Sequence, residues 1–489
     1  DYAEAYYNLG NIFKDEGNLE EALSLIKKAI SLNPDLMEAY NNLGIIYRKL
    51  GDKEEARKLF KKAIELNPNS SSLHVNLGNI LNDLNEYKKA EISIRKAISL
   101  KPDFADAHKN LAIVLRELGN LKQAEEEAKI SIKLQPNNSY GHATYGLILQ
   151  TKDQLKEAKR ATLIAIELQS DNAEAHHNLA QILLKEKQFI KGWAENEWRW
   201  KTNSEKNQIG SNLITSKIEW SPNQRGRVLL WPEQGLGDQL MFASLIPDFI
   251  DYVDQLIIKI DPRLIPLLQR TLPENIKYIS KEEHIDESEY DSHIAMGSLP
   301  KYLRKSLESF QLAKPLKLKV NQQKSDFLRS KLLDKKFDKI IGISWKSNKI
   351  ANINQCKSLS LEDFILKIYS PNICFVSLQY GDVKEEINQL KQKHNIEIYD
   401  IEEIDKFYDI DGLASLINAC DEVISMRNST VPLAGAIGIK SHILIPTNCY
   451  WWWGVDDTQS YWYPSLKLVR QKEPGEWNQP FLQIQKTIN

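Results

Sequence analysis

The sequence predicts an α-solenoid over residues 1–202, followed by an α/β region of two doubly wound, parallel-sheet lobes. Three observations carry this. A pattern of small residues recurs every 34 residues from Gly10 to Ala180. Beyond Arg225 that pattern gives way to short β-rich runs separated by helical lengths. Loops rich in glycine or hydroxyls follow several of those runs.

Length and composition narrow the class. The 489 residues suit about three domains. Charged residues at 27% and hydrophobic ones at 42% are ordinary for a folded soluble chain and exclude wholesale disorder. The net charge of −2 gives no field that would favour nucleic acid or an anionic membrane. No uninterrupted apolar stretch reaches the length of a membrane span. Cys356, Cys374, Cys420 and Cys449 are scattered with no C-x-x-C pair, which suits a reducing cytosol and a cytoplasmic location. No secretory leader opens the chain; Asp1 falls inside a repeat, which leaves the natural N-terminus open.

The repeats come first. Gly10, Gly44, Gly78, Ala112, Gly146 and Ala180 share one phase. Ala22, Ala56, Ala90, Ala124 and Ala158 share a second, 12 residues later. Pro34, Pro68, Pro102 and Pro136 share a third, with Ser170 replacing the fifth. Small residues stand where paired helices cross closely, and proline ends the second helix of each pair. These spacings resemble tetratricopeptide repeats: six units over 1–202, the last atypical. The resemblance implies a superhelix with a concave groove that receives a protein or peptide.

Asn8, Asn42, Asn76, Asn110 and Asn178 occupy one repeat phase, with Thr144 the exception. Two readings stand. A column of amides can grip an extended peptide backbone whatever its side chains. Alternatively, the asparagines bond within the stack. The sixth unit carries Phe189, Gly192, Trp193, Glu197, Trp198, Arg199 and Trp200. Trp193 and Trp200 lie two helical turns apart, so they share a face. That face reads as a hydrophobic cap for the following domain, with a ligand site as the alternative.

Residues 203–225 read as a polar linker with Trp220 as an anchor. Strands are expected at 227–232, 255–260, 276–279 and 291–295, forming a first lobe over 226–325. A second set at 339–345, 373–378, 396–399, 422–425 and 442–445 forms a second lobe over 326–489. The helical, lysine-rich interval 301–338 separates the sets. Parallel sheets of this kind bind ligands at the carboxyl ends of their strands.

Three loops fall in such places. Glu233-Gln234-Gly235-Leu236-Gly237-Asp238 follows the first strand. It lacks the third glycine of a dinucleotide fingerprint and the Gly-Lys of a P-loop. Asp238 is placed to be a general base, or simply to cap a helix. Ser344-Trp345-Lys346-Ser347-Asn348, with Lys357-Ser358, supplies hydroxyls and ammonium groups suited to a diphosphate. The segment Ser425 to Ala436 ends a strand and starts a helix, where Ser429 or Thr430 can cap and exposed N–H groups favour phosphate. Ordinary capping and solvated lysines are the competing account of each.

The segments GWAENEWRW, LLWPEQGLGDQLMFASLIPDF, GISWKSN with KSLSL, VSLQYGD, VISMRNSTVPLAGAIG and WYPSLKLVRQKEPGEW occur in order across 190–478. In that order they resemble heptosyltransferase-related glycosyltransferases of the GT-B fold, in the form fused to tetratricopeptide repeats. The arrangement is also similar to the O-linked N-acetylglucosamine transferases, whose repeats present protein substrates. The resemblance implies an α-solenoid followed by an α/β GT-B fold of two Rossmann-like lobes, the second binding a nucleotide sugar. It implies Asp238 as catalytic base, Lys357 on the donor phosphates and Gln379 beside the nucleotide.

One departure stands out. Where the family has an aspartate and a histidine, this chain has Arg427 and Pro432. Either Arg427 makes a new phosphate contact or the lobe has lost turnover. The run Tyr450 to Trp453, with Tyr461, Trp462 and Tyr463, either stacks on a sugar or base or packs between lobes.

The expected function is a metal-independent, inverting glycosyltransferase that uses a nucleotide-sugar substrate and needs no cofactor. Asp238 is the catalytic base. Gly237, Ser344, Lys346, Ser347, Lys357, Gln379, Arg427, Asn428, Ser429 and Thr430 hold the donor. No Asp-x-Asp pair ends a strand, in keeping with metal independence. The repeats recruit the acceptor or a partner, and self-association into a homo-oligomer is open. The alternative is a non-catalytic scaffold with a degenerate transferase domain.

Overall fold

The computed structural model describes residues 2–202, 213–333, 337–347, 359–447 and 449–488. Lys357 and Asn348 lie outside them. The chain forms two compact units that divide between Ala175 and His176.

The first unit is a stack of helix hairpins. They are α1 (Tyr2–Asp15) with α2 (Leu19–Leu32), α3 (Met37–Lys49) with α4 (Lys53–Leu66), and α5 (Ser71–Asp83) with α6 (Tyr87–Leu100). Next come α7 (Ala105–Glu117) with α8 (Leu121–Leu134), and α9 (Ser139–Thr151) with α10 (Leu155–Leu168). The repeating small residues do what their spacing implies. A Cβ on Gly78 would lie 2.3 Å from Ile94 Cγ1, so only glycine lets α5 approach α6 this closely. Ala22, Ala56, Ala90, Ala124 and Ala158 are fully buried. The hairpin turns adopt left-handed backbone in the same 34-residue phase, at Gly17, Gly51, Asn85, Gly119 and Asp153.

α11 (Ala173–Lys185) starts at the end of the first unit and continues into the second; α12 (Phe189–Asn196) lies wholly in the second. A 3-10 segment, Glu197–Lys201, follows α12.

The second unit holds two five-stranded, all-parallel sheets. The first contains β1 (Ile218–Glu219), β2 (Arg227–Trp231), β3 (Gln255–Ile260), β4 (Lys277–Ser280) and β5 (Ser292–Ala295), in the order β1-β5-β2-β3-β4. The second contains β6 (Lys339–Ser344), β7 (Ile373–Ser377), β8 (Glu422–Met426), β9 (Ser441–Ile445) and β10 (Leu466–Arg470), in the order β10-β9-β8-β6-β7. Every strand order reversal lies at β2 or β6, whose loops carry two of the three predicted motifs; the third follows β8. Helices cover both faces, so the central strands are apolar on both sides. In β2, Val228 and Leu230 enter the main core while Leu229 packs on the opposite face with Ile257 and Tyr290.

The sequence reading needs four corrections here. Residues 213–225 are more than a connector: β1 pairs with β5, and Trp220 is buried against Phe249 and Tyr302. The run 396–399 forms no strand; only an isolated bridge joins Tyr399 to Val376. β10 was missed because Pro464 precedes it and its pattern, Leu-Lys-Leu-Val-Arg, is that of a half-exposed edge. The lobes also meet earlier than residue 326. The helix Gln322–Leu332 packs on the helix Ile410–Ala419, where Arg329 donates to Ala419 O and pairs with Asp421.

The aromatic face of α12 is core packing within the second unit. Phe189 and Trp193 join the core cluster shared by both lobes, and Trp193 Nε1 donates to Arg304 O at 2.7 Å. Trp451 meets Trp193 edge-on at 5.0 Å between ring centres.

Candidate functional site

The glycine loop after β2 opens the helix Leu236–Ala243, and Asp238 sits in its first turn, half-buried. Gln239 beside it is buried and ties two segments together. Its Nε2 donates to Gln234 O at 2.8 Å, and its Oε1 accepts from Asp261 N at 2.9 Å. Asp261 ends β3. Burial alone would raise its carboxyl, but Arg263 and Lys281 hold it at about 2.

Gly237 faces the second lobe. A Cβ there would lie 3.7 Å from Ser429 Cα and 3.8 Å from Pro432 Cγ. The helix Leu236–Ala243 packs on the helix Thr430–Ile437, and Tyr463 Oη donates to Leu240 O at 3.1 Å. Asp238 is thereby brought next to the segment the sequence singled out in the other lobe.

The second-lobe residues form one network. Gln379 Oε1 accepts from Ser344 Oγ at 3.0 Å, Trp345 N at 3.1 Å and Lys346 N at 3.0 Å. Asn428 Nδ2 donates to Ser344 Oγ at 2.6 Å and approaches Lys346 O at 3.3 Å. Ser344, Lys346, Gln379 and Asn428 are thus brought together, and Gln379 fixes the loop through three donors. Two expectations change. Lys346 Nζ pairs with Glu386 at 2.6 Å, and Trp345 Nε1 donates to the same carboxylate, so this ammonium is neutralised within the lobe. The helix start at Ser429 has no side-chain cap from Ser429 itself; Asn428 Oδ1 accepts from Thr430 N instead. Thr430 Oγ1 is buried with no hydrogen-bond partner among the described residues. Ser347 is half-buried at the end of its described loop.

Arg427 turns toward the aromatic run. Its guanidinium carbon lies 5.8 Å from the Tyr450 ring centre, and Tyr450 stacks on Trp452 at 5.1 Å. Burial lowers the Arg427 pKa, and nearby Arg470 adds to this against Cys449 and Tyr450. The run divides: Trp451, Trp462 and Tyr463 are core, whereas Tyr450 is exposed.

Sequence reasoning missed Arg199 and Glu233. Arg199 donates through Nε and Nη2 to the two Glu233 oxygens at 2.9 and 3.0 Å. Burial pushes the Glu233 carboxyl up, against the pull of Arg199. Both residues stood in quoted motifs, GWAENEWRW and LLWPEQGLGD, yet a pair 34 residues apart has no sequence signature.

In the first unit, a cavity of about 430 Å³ is lined by Arg48, Asn76, Asn79, Asn82, Lys109 and Asn110, among others. Asn82 Oδ1 is buried there without a partner among the described residues. The asparagine column is not uniform. Asn42 Nδ2 donates to Asn11 Oδ1 at 2.7 Å and Tyr7 Oη at 3.0 Å, and its Oδ1 accepts from Asn41. Asn76 Nδ2 donates to Asn41 Oδ1 at 2.8 Å. Asn42 therefore follows the in-stack account, Asn76 bonds within the stack while also lining the cavity, and Asn110 lines the cavity. Asn8 is exposed, and Asn178 is buried in the second unit.

The tetratricopeptide repeat model matches residues 1–69, and a second such model matches 59–92. The N-terminal helices are tetratricopeptide repeats. Protein FlbA of Caulobacter vibrioides is 31% identical over 281 residues, covering 53% of this chain and 46% of that protein. The chain thus spans about half the length of the curated relative it matches. Among solved structures, YrrB, described as a TPR protein with an unusual peptide-binding site, is 25% identical with a TM-score of 0.29, over 35% of this chain and 89% of that one. PilF of Pseudomonas aeruginosa is 18% identical with a TM-score of 0.35, over 41% of this chain and 91% of that one. Tetratricopeptide repeats indicate protein interaction. Among the described residues there is no metal-capable cluster of side chains and no helix long and apolar enough to cross a membrane.

Proposed function

We propose that the α/β unit is a metal-independent, inverting glycosyltransferase of GT-B type, and that the repeats hold its protein acceptor or a partner. One observation carries the reading. Gly237 brings the Asp238 turn of the first lobe against the Ser429–Pro432 helix start of the second. A carboxylate and a helix N-terminus then lie at the junction of two parallel sheets, where such folds take their ligands.

In this mechanism an acceptor hydroxyl passes its proton to Asp238 as its oxygen attacks the anomeric carbon. The bond from that carbon to the diphosphate oxygen breaks, and the nucleoside diphosphate leaves. Backbone N–H groups at the start of the helix Thr430–Ile437 stabilise the departing charge. Lys357 is the expected cationic partner, since Lys346 is engaged by Glu386.

The test is release of nucleoside diphosphate from a panel of nucleotide sugars, with and without EDTA. Turnover indifferent to EDTA is expected. Asp238→Asn should lower kcat by about 10²–10⁴-fold while leaving nucleotide binding nearly intact. An active Asp238→Asn variant moves the base elsewhere. A second reading, a scaffold with an inactive transferase lobe, is favoured by Arg427 and Pro432 at the family's polar positions. Absence of both turnover and nucleotide binding would establish it.

A further inference from the structure

Arg199 is more completely bound than any packing role requires. Its side chain is 9% exposed and that of Glu233 is 4% exposed. Nε and Nη2 grip both Glu233 oxygens. Nη2 also donates to Ser298 Oγ at 2.8 Å, and Nη1 donates to Glu197 Oε1 at 2.6 Å and Asn196 O at 3.1 Å. All five N–H donors of the guanidinium are used. Ser298 Oγ donates onward to Glu197 Oε1 at 3.0 Å, which closes the network. Gly297 makes the room: a Cβ there would lie 2.0 Å from Glu233 Oε1.

Stability alone does not call for this arrangement. Desolvating a carboxylate and a guanidinium costs several kcal/mol per ion, and an apolar pair of similar volume is often at least as stable. What a bidentate pair adds is direction. Glu233 lies between the end of β2 and Gly235. Arg199 fixes the loop at Glu233, and Gln239 fixes it at Gln234 O. The backbone N–H of Asp238 donates to Gly235 O at 3.1 Å, so the position of the carboxylate follows from the loop.

We propose that Arg199 is a positioning residue which, through Glu233, sets the conformation of Gln234–Asp238, making the last repeat a working part of the transferase unit. The proposal rests on the role given to Asp238 above. It also moves the functional boundary from the polar stretch after Thr202 back to the end of α12.

The test uses the full chain carrying Arg199→Met with Glu233→Met, which removes both charges and leaves neither orphaned. Two readouts are taken. Hydrogen exchange at the 235–239 amides should accelerate about tenfold or more, with β2 and β3 amides unchanged. In nucleotide-sugar turnover, kcat should fall about 10²-fold with donor KM held within about threefold. Arg199→Lys, which keeps the charge but loses the fork, should fall between. It supplies the same two readouts if the double variant does not fold. Unchanged exchange overturns the proposal, as does faster exchange with unchanged kcat. A wild-type chain that turns over no donor defeats the transferase reading instead, and the exchange result alone then decides whether Arg199 sets the loop.

Discussion

The two units use polar side chains over different distances in the chain. In the repeats, Asn42 reaches Asn11, 31 residues away, Asn76 reaches Asn41, 35 away, and Arg48 pairs with Asp83, also 35 away. Each link joins one repeat to the next. In the α/β unit, Lys339 reaches Glu422 across 83 residues, Arg270 reaches Asp411 across 141, and Tyr463 reaches Leu240 across 223. Those links cross strands and lobes. A stack with nearest-neighbour contacts absorbs damage locally, whereas a body tied by long-range contacts loses stability as a whole.

The largest effect should come from Glu422 at the start of β8. Its carboxylate accepts from Lys339 at 2.7 Å, Lys440 at 2.6 Å and His442 Nε2 at 2.9 Å. Burial would raise its pKa, but His442 and the two lysines hold it at about 2. Glu422→Ala leaves the buried His442 and the half-buried Lys339 without their partner and should cost about 3–5 kcal/mol. In urea unfolding, the transition of the α/β unit should move to lower denaturant while that of the repeats stays put. Loss spread evenly over both transitions would break the contrast. The pH dependence has a definite sign. A folded pKa below the unfolded value means the stabilisation is full above about pH 4.5 and fades as pH falls toward about 2. Asp261, also held at about 2, adds in the same direction. Acid should therefore unfold the α/β unit over that window, and Glu422→Gln should flatten the response.

Next comes Gly78 in the repeats. Gly78→Val drives a side chain into Ile94, which is fully buried and anchored close to its backbone. Overpacking of this kind costs about 1–3 kcal/mol. The cost should be confined to the repeat transition, with faster amide exchange in α5 and α6 and none in β2 or β8. Exchange that spreads into the α/β unit would show the two units to be energetically coupled.

The same contrast explains what the residues disclosed in advance. Repeats announce themselves because one packing problem is solved again and again. Gly10, Gly44 and Gly78 recur since each meets the same crossing helix. The strands β2, β3 and β6 were legible as apolar runs because both faces of a parallel sheet are covered. β10 was not, because this edge strand sets Lys467 and Arg470 among its apolar residues. At the candidate site, the loops were visible from glycine and hydroxyl placement, but their use was not. Nothing local in Lys346 says that Glu386 neutralises it, and nothing in Asn428 says that it, rather than Ser429, caps the helix. Arg199 and Glu233 show the limit most clearly, since a buried charge pair is defined by the partner the fold supplies.

The smallest effect separates asparagines that share one repeat phase. Asn42 makes three side-chain hydrogen bonds inside the stack, to Asn11, Tyr7 and Asn41. Asn110 makes none among the described residues and lines the cavity. Asn42→Ala should cost about 1–2 kcal/mol, the net worth of those bonds when their partners keep some access to water. Asn110→Ala should change stability by less than about 0.5 kcal/mol, as for a surface site. Thermal unfolding of the repeat transition measures both. Equal costs would make the whole column structural, and the groove would then have to recognise its partner through Asn79, Asn82 and the charged residues around them. Unequal costs in the stated order leave Asn110, whose amide makes no bond in the stack, as the rung available to a bound chain.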